Sequence, residues 1–241
     1  MVTPITRATQ GKEKARDESA LGFGKKFTDH MLMMDYSLEK GWYGARIEPY
    51  HPISMDPATM VLHYGQAIFE GLKAYRTADG IRLFRPMDNI RRMNRSAERL
   101  SIPALPEEAF FEGMGDLIRL ESDWIPKAEG TSLYVRPTVI ATDPFLGVRA
   151  SETYLFYIIL SPSGAYYPEG MAPVKIWVEP EYVRAVRGGI GFAKAAANYA
   201  ASLYAGANRI SRTSARGTPR KNPSASRKSR AAAANQTKRS S

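Results

Sequence analysis

Lys194 lies in the segment Gly188-Gly-Ile-Gly-Phe-Ala-Lys-Ala-Ala-Ala-Asn-Tyr199, with glycines before it and a helix-forming alanine run after it. Among small uncharged neighbours an ammonium group loses hydration, which favours the neutral amine, and a neutral amine attacks a carbonyl carbon to form a Schiff base. The same neighbours would let a flat ring approach closely. A surface lysine beside glycine has the same local composition, so the residues alone leave both readings open. A second candidate lies in Ser132 to Ile140. There Leu133, Val135, Pro137 and Val139 alternate with Tyr134 and Arg136, so a strand would place the phenol and the guanidinium together on one face. A guanidinium offers forked donors to a carboxylate and a phenol adds one more; a solvated strand face is the other reading. Arg85, directly after the apolar run Ile81 to Phe84, is an anion ligand or a surface charge at a strand end. The three histidines, His30, His51 and His63, are too scattered for a metal cage, and no metal is expected. With no cysteine there is no disulfide, thiolate metal site or cysteine nucleophile.

The elements that must position these residues can be read from periodicity. Phe69 to Tyr75 and Ile81 to Phe84 flank Thr77-Ala-Asp-Gly80, which predicts a β-hairpin. Asp88 is expected to cap a helix carrying Ile90, Met93, Ala97 and Leu100 at helical spacing. A second helix is expected to open at Pro106, with Phe110, Met114, Leu117 and Glu121 along one side. Three strand-like runs follow: Ser132 to Ile140, Thr153 to Ser161 and Val174 to Glu179. This mixture predicts an α+β fold of two domains. The expected organisation is a polar N-terminal segment (1–20), an N-terminal α+β domain (21–160), a Pro/Gly/Ser-rich connection (161–172), the start of a second domain (173–210) and a basic tail (211–241).

Charge sharpens that division. The 241 residues carry 34 Lys+Arg against 24 Asp+Glu, a net charge of +10. Nine of the basic residues and no acid lie in 211–241, so the remainder is almost neutral. The tail has no Val, Leu, Ile, Met or aromatic residue and cannot bury enough apolar surface to offset the roughly 1–2 kcal/mol per residue of backbone ordering, so disorder is expected there. It begins where a second domain would continue, which suggests a frame shift or a lost C-terminal half. A basic run without aromatic residues to stack on bases would hold nucleic acid only non-specifically. The longest strongly apolar run, Tyr154 to Leu160, is far below the roughly 20 residues of a membrane span, and the first seventeen residues lack an apolar core, so a cytoplasmic protein is expected.

Five stretches, HYGQAIFEGLKAYR (63–76), RLFRP (82–86), GTSLYVRPTVIATDPFLGV (130–148), SPSGAYYPEG (161–170) and GGIGFAKAAANYAASL (188–203), together resemble the branched-chain amino-acid aminotransferases, class IV pyridoxal-phosphate enzymes. The resemblance runs from about Phe23 to Leu203. It implies a pyridoxal 5′-phosphate cofactor and transamination between leucine, isoleucine or valine and 2-oxoglutarate, with amino and 2-oxo acids as the partners. By the same resemblance Lys194 is similar to the lysine that bonds the cofactor and shuttles a proton. Arg85 is similar to its phosphate ligand, and Tyr199 to the tyrosine on its phenolic oxygen. Tyr64, Tyr134 and Arg136 resemble residues that orient substrate carboxylates, and Phe69 a wall for aliphatic side chains. The Leu146-Gly147-Val148 turn resembles a loop that reaches a neighbouring subunit, which implies a homodimer. In the family a downstream glutamate holds the protonated pyridine nitrogen, whereas here the last acid is Glu181. A non-catalytic remnant and a basic-tailed polyanion binder are therefore the alternatives.

Overall fold

The computed structural model describes residues 3–164, 173 and 178–207. Its centre is an antiparallel sheet of seven strands: β1 (His30–Ser37), β2 (Gly41–Pro49), β3 (Ala67–Phe69), β4 (Leu72–Thr77), β5 (Gly80–Leu83), β6 (Ser132–Ala141) and β7 (Thr153–Ser163). The spatial order is β2-β1-β7-β6-β4-β5, with β3 also on β6. The helices are α1 (Met60–Tyr64), α2 (Pro86–Arg99), α3 (Glu107–Leu120) and the short α4 (Ala196–Ala200). The α+β architecture read from the pattern is thus present. The expected run at 174–179 and the tail from 211 lie largely or wholly outside the described residues.

Alternation gives the sheet two faces. Leu32 and Met34 of β1, Leu133, Val135 and Val139 of β6, and Phe156, Ile158 and Leu160 of β7 join the main core with Ile90, Met93 and Ala97 of α2 and Phe110, Met114 and Leu117 of α3. At 25–30 cal/mol per Å², each such buried large side chain stabilises by about 1.5–3 kcal/mol. Met31, Met33, Ile140 and Leu155 point the other way into a smaller cluster packed by Tyr157, Ile159 and Ala196. That second face also carries Tyr134 and Arg136.

Two details differ from the periodicity reading. The expected strand from Phe69 breaks at Glu70-Gly71, between β3 and β4, although both pieces keep one register on β6. The break faces Pro137, whose ring removes the N–H that a continuous ladder would need; the Pro137 carbonyl instead accepts the Glu70 N–H at 2.9 Å. Asp88 is not the cap of α2. Arg85 holds that position with left-handed backbone (φ 48°), Pro86 starts the helix with its fixed φ, and Asp88 sits in the first turn. The polar segment before Leu21 packs on the sheet and α3: Ile5 bridges Ile47 of β2, and Thr3 Oγ1 donates to Asp116 of α3 at 2.9 Å. The hairpin of β4 and β5 closes through Ala78-Asp79 between the paired Thr77 and Gly80.

Glu121, expected on the apolar side of the second helix, is buried just after α3. It accepts from His30 Nδ1 and from the Asp29 N–H. Burial pushes its carboxyl above the ordinary value, with the His30 hydrogen bond working against that. Among the described residues no helix is long and apolar enough to cross a membrane, and no group of three or more acidic or histidine side chains could hold a metal ion.

Candidate active site

Lys194 is fixed through its backbone before its side chain is considered. Its N–H donates to Ser96 Oγ of α2 at 2.8 Å, its carbonyl accepts the Phe69 N–H at 3.1 Å, and Ala195 bridges Ile68. Asn198, itself buried, donates to the carbonyls of Ile190 and Ala193 and closes the loop that leads into the lysine. Ala193 and Ala195 are buried on either side. The amine can therefore vary only through its own rotamers, which restricts where it can meet a carbonyl carbon.

That amine donates to Tyr199 Oη at 2.7 Å and lies 4.7 Å from the Phe69 ring centroid. The Phe69 and Tyr199 rings are 4.8 Å apart. On Phe69 also rests the guanidinium of Arg136, 4.6 Å from the centroid, and Arg136 Nη2 donates to Tyr134 Oη at 2.8 Å. One aromatic ring thus touches both an amine–phenol pair and a guanidinium–phenol pair. Phe23 packs edge-on against Tyr134 at 4.8 Å. Of the seven residues singled out from sequence, the structure brings together Lys194, Tyr199, Phe69, Arg136 and Tyr134.

The remaining two are elsewhere. Arg85 is mostly exposed, with its Nε donating to Asp88. It lines a cavity with Phe84, Asp88, Asn89, Arg92 and Arg95, next to the one that holds Lys194. Tyr64 donates to the Leu146 carbonyl and lines a cavity with Val148, Ile190 and Ala197, which ties it to the Leu146-Gly147-Val148 turn rather than to the lysine amine. Leu146 and Val148 are strongly exposed.

Lys194 and Tyr199 line a cavity of about 220 Å³ with Arg92, Arg184, Gly191, Phe192 and Ala193. Arg92 was not singled out from the sequence. Its Nε and Nη2 donate to the two oxygens of fully buried Glu70 at 2.6 and 2.7 Å. The Glu70 hydrogen bond, with the nearby Tyr199 also contributing, holds Arg92 above its usual value against the opposing effect of burial. A second stripe on α2 contained the signal. Asn89, Arg92, Ser96 and Arg99 recur at helical spacing, and they engage Glu70, the Lys194 N–H and the Gly188 carbonyl. Gly71 was also missed: a Cβ there would lie 2.0 Å from Tyr134 Oη, so only glycine admits the phenol.

The donor set suits a phosphate-bearing aldehyde. Guanidinium groups can take the phosphate, an amine can meet the aldehyde, and a phenol can reach a ring oxygen.

No family model matches the chain. Over 198 residues it is 59% identical to branched-chain-amino-acid aminotransferase 2 of Bacillus subtilis (strain 168), a match that covers 82% of this chain and 54% of the relative. A branched-chain aminotransferase structure from Thermoproteus uzoniensis, with norvaline, superposes at a TM-score of 0.58 and 21% identity, covering 73% of this chain and 56% of that one. The Escherichia coli branched-chain amino acid aminotransferase superposes at a TM-score of 0.50 and 22% identity, covering 75% of this chain and 54% of that one. At such identities the two structures speak for the fold. The chain spans about half the length of the curated relatives it matches, and over that span it belongs to the branched-chain-amino-acid aminotransferase family.

Proposed function

We propose that this chain carries the covalent and carboxylate-recognition parts of a pyridoxal 5′-phosphate-dependent transaminase that moves an amino group between leucine, isoleucine or valine and 2-oxoglutarate. The observation that carries this reading is Lys194 Nζ held at 2.7 Å from Tyr199 Oη, with Arg136 packed against the same Phe69 ring that the lysine amine approaches. When bound, the cofactor supplies the electron sink for the substrate's Cα carbanion.

The chain's own residues do the rest. Lys194 Nζ accepts and returns a proton within reach of that carbon, and its fixed backbone keeps the amine in place between the two transfers. Tyr199 Oη lies within hydrogen-bond reach of the amine, where its O–H can also meet a ring oxygen. Phe69 excludes water from an aliphatic side chain, while Arg136, steadied by Tyr134, has donors for the second carboxylate of 2-oxoglutarate. One pocket thereby serves both an apolar and an acidic substrate. For the phosphate, the geometry favours Arg92 over Arg85, because Arg92 lines the lysine's own cavity. A homodimer whose exposed Leu146 and Val148 reach a second copy, and a cytosolic setting, complete the proposal.

A second reading, cofactor capture without useful turnover, has its own support. Among the described residues, those lining the Lys194 cavity include two arginines and no carboxylate to hold a proton on the pyridine nitrogen. Titration of the purified chain with pyridoxal 5′-phosphate, followed by visible absorbance, tests the assignment. Saturable absorbance abolished by Lys194→Ala is expected. Equal absorbance in the variant would overturn the assignment.

A further inference from the structure

Glu70 is fully buried between two strands, yet it is an acid. Burying a carboxylate costs several kcal/mol unless it is paired and hydrogen-bonded, and an apolar residue would pack here more cheaply. Its two oxygens accept from Arg92 Nε and Nη2, from Asn89 Nδ2 at 3.0 Å and from the Gly71 N–H at 3.1 Å. Its position is set by the break opposite Pro137. The interrupted ladder lets Phe69 face the lysine, Glu70 face α2 and Gly71 lie beneath Tyr134.

Arg92 carries five N–H donors, and the fork to Glu70 occupies two. Three remain on a half-exposed guanidinium that lines both the Lys194 cavity and the neighbouring cavity with Arg85 and Arg95. An unheld arginine loses up to about 2 kcal/mol of rotamer entropy on immobilisation, whereas one gripped along its inner edge has met much of that cost before an anion arrives. We propose that Glu70 is a positioning residue for the phosphate end of the site: it clamps the inner edge of Arg92 and presents the remaining donors to a phosphate monoester or inorganic phosphate. This rests on the proposed cofactor reading for the identity of the natural anion, though not for the clamp itself.

The test measures two probes on the full 241-residue chain. Inorganic phosphate is titrated calorimetrically, and pyridoxal, which has the aldehyde but no phosphate, is followed by visible absorbance. Glu70→Gln keeps the shape and drops the charge. It is expected to weaken phosphate by roughly tenfold, the effect of one charge-assisted hydrogen bond, while leaving pyridoxal unchanged. Arg92→Lys should weaken phosphate similarly, and adding Glu70→Gln to it should cost little more, since both act through one guanidinium. If Glu70→Gln does not fold, Glu70→Asp keeps the charge, shortens the reach by one methylene and should show the same selectivity in smaller measure. Unchanged phosphate affinity, equal loss of both probes, additive losses in the double variant, or no phosphate binding by the parent chain each overturns the proposal. Glu70-dependent phosphate binding in a chain that does not react with pyridoxal would refute the Lys194 assignment and leave the clamp standing.

Discussion

Gly71 shows how narrowly the carboxylate end is built. A methyl group there would sit 2.0 Å from Tyr134 Oη and 2.8 Å from Cζ, so Gly71→Ala must move the ring or the strand. Overpacking of this kind costs about 1–3 kcal/mol, and for a chain of this size each kcal/mol lowers the thermal midpoint by roughly 2–4 °C. The displaced phenol would no longer steady Arg136. Gly71→Ala is expected to weaken 2-oxoglutarate by about tenfold and 4-methyl-2-oxopentanoate much less, as read by competitive titration. Equal weakening of both acids would mean that Tyr134 and Arg136 do not select the second carboxylate. At this scale the sequence was informative where a motif names a residue, as with Lys194, Tyr199 and the Tyr134–Arg136 alternation. It singled out Arg85 and gave no sign of Arg92, which lines the lysine's own cavity. Position after a strand says nothing about helical phase, and the phase of α2 turns Arg92 toward the lysine while Arg85 stays at the exposed N-cap.

Among the elements, β2 and the turn after it hold a pH-sensitive contact. His51 Nε2 lies 2.8 Å from Glu48 Oε1, and the Glu48 and Pro52 hydrogen bonds raise the imidazole above its ordinary 6.5. Burial alone would push Glu48 up, but His51 and Arg46 together hold it below its usual value. A histidine raised in the folded state contributes stability that is complete below pH 6.5 and disappears as pH rises through the raised value. The pair is substantially exposed, so its contribution is below about 1 kcal/mol. The thermal-midpoint gap between the parent chain and His51→Gln is expected at pH 6 and should vanish by pH 9. A gap constant across that range would show that the ion pair is not its source. Strands β1 and β2 were not read from pattern, but the hairpin, both long helices, β6 and β7 were specified by it and form where periodicity puts them. The break at Glu70-Gly71 was not, because its cause is the proline of a neighbouring strand more than sixty residues away.

For the whole molecule the site is half-walled. Phe192, Val183, Val186 and Leu203 are strongly exposed around the lysine segment, and the chain spans about half the length of its relatives. The described residues lining the Lys194 cavity include no carboxylate to hold a protonated ring nitrogen, a contact worth about 1.5–3 kcal/mol. Leucine:2-oxoglutarate turnover by the purified chain is expected at least ten- to a hundredfold below that of a full-length relative, measured by coupled assay. Normal turnover would mean that the carboxylate comes from elsewhere. The order of the strands has a further consequence, for synthesis. β1 is among the first strands to leave the ribosome, yet its partner Ile158 follows Leu32 by more than 120 residues. At roughly 5–20 residues per second, the hairpin of β1 and β2 waits on the order of ten seconds with Met31, Leu32, Met33 and Met34 uncovered. During that interval a nascent chain is a natural client for the chaperones that bind short methionine- and leucine-rich stretches.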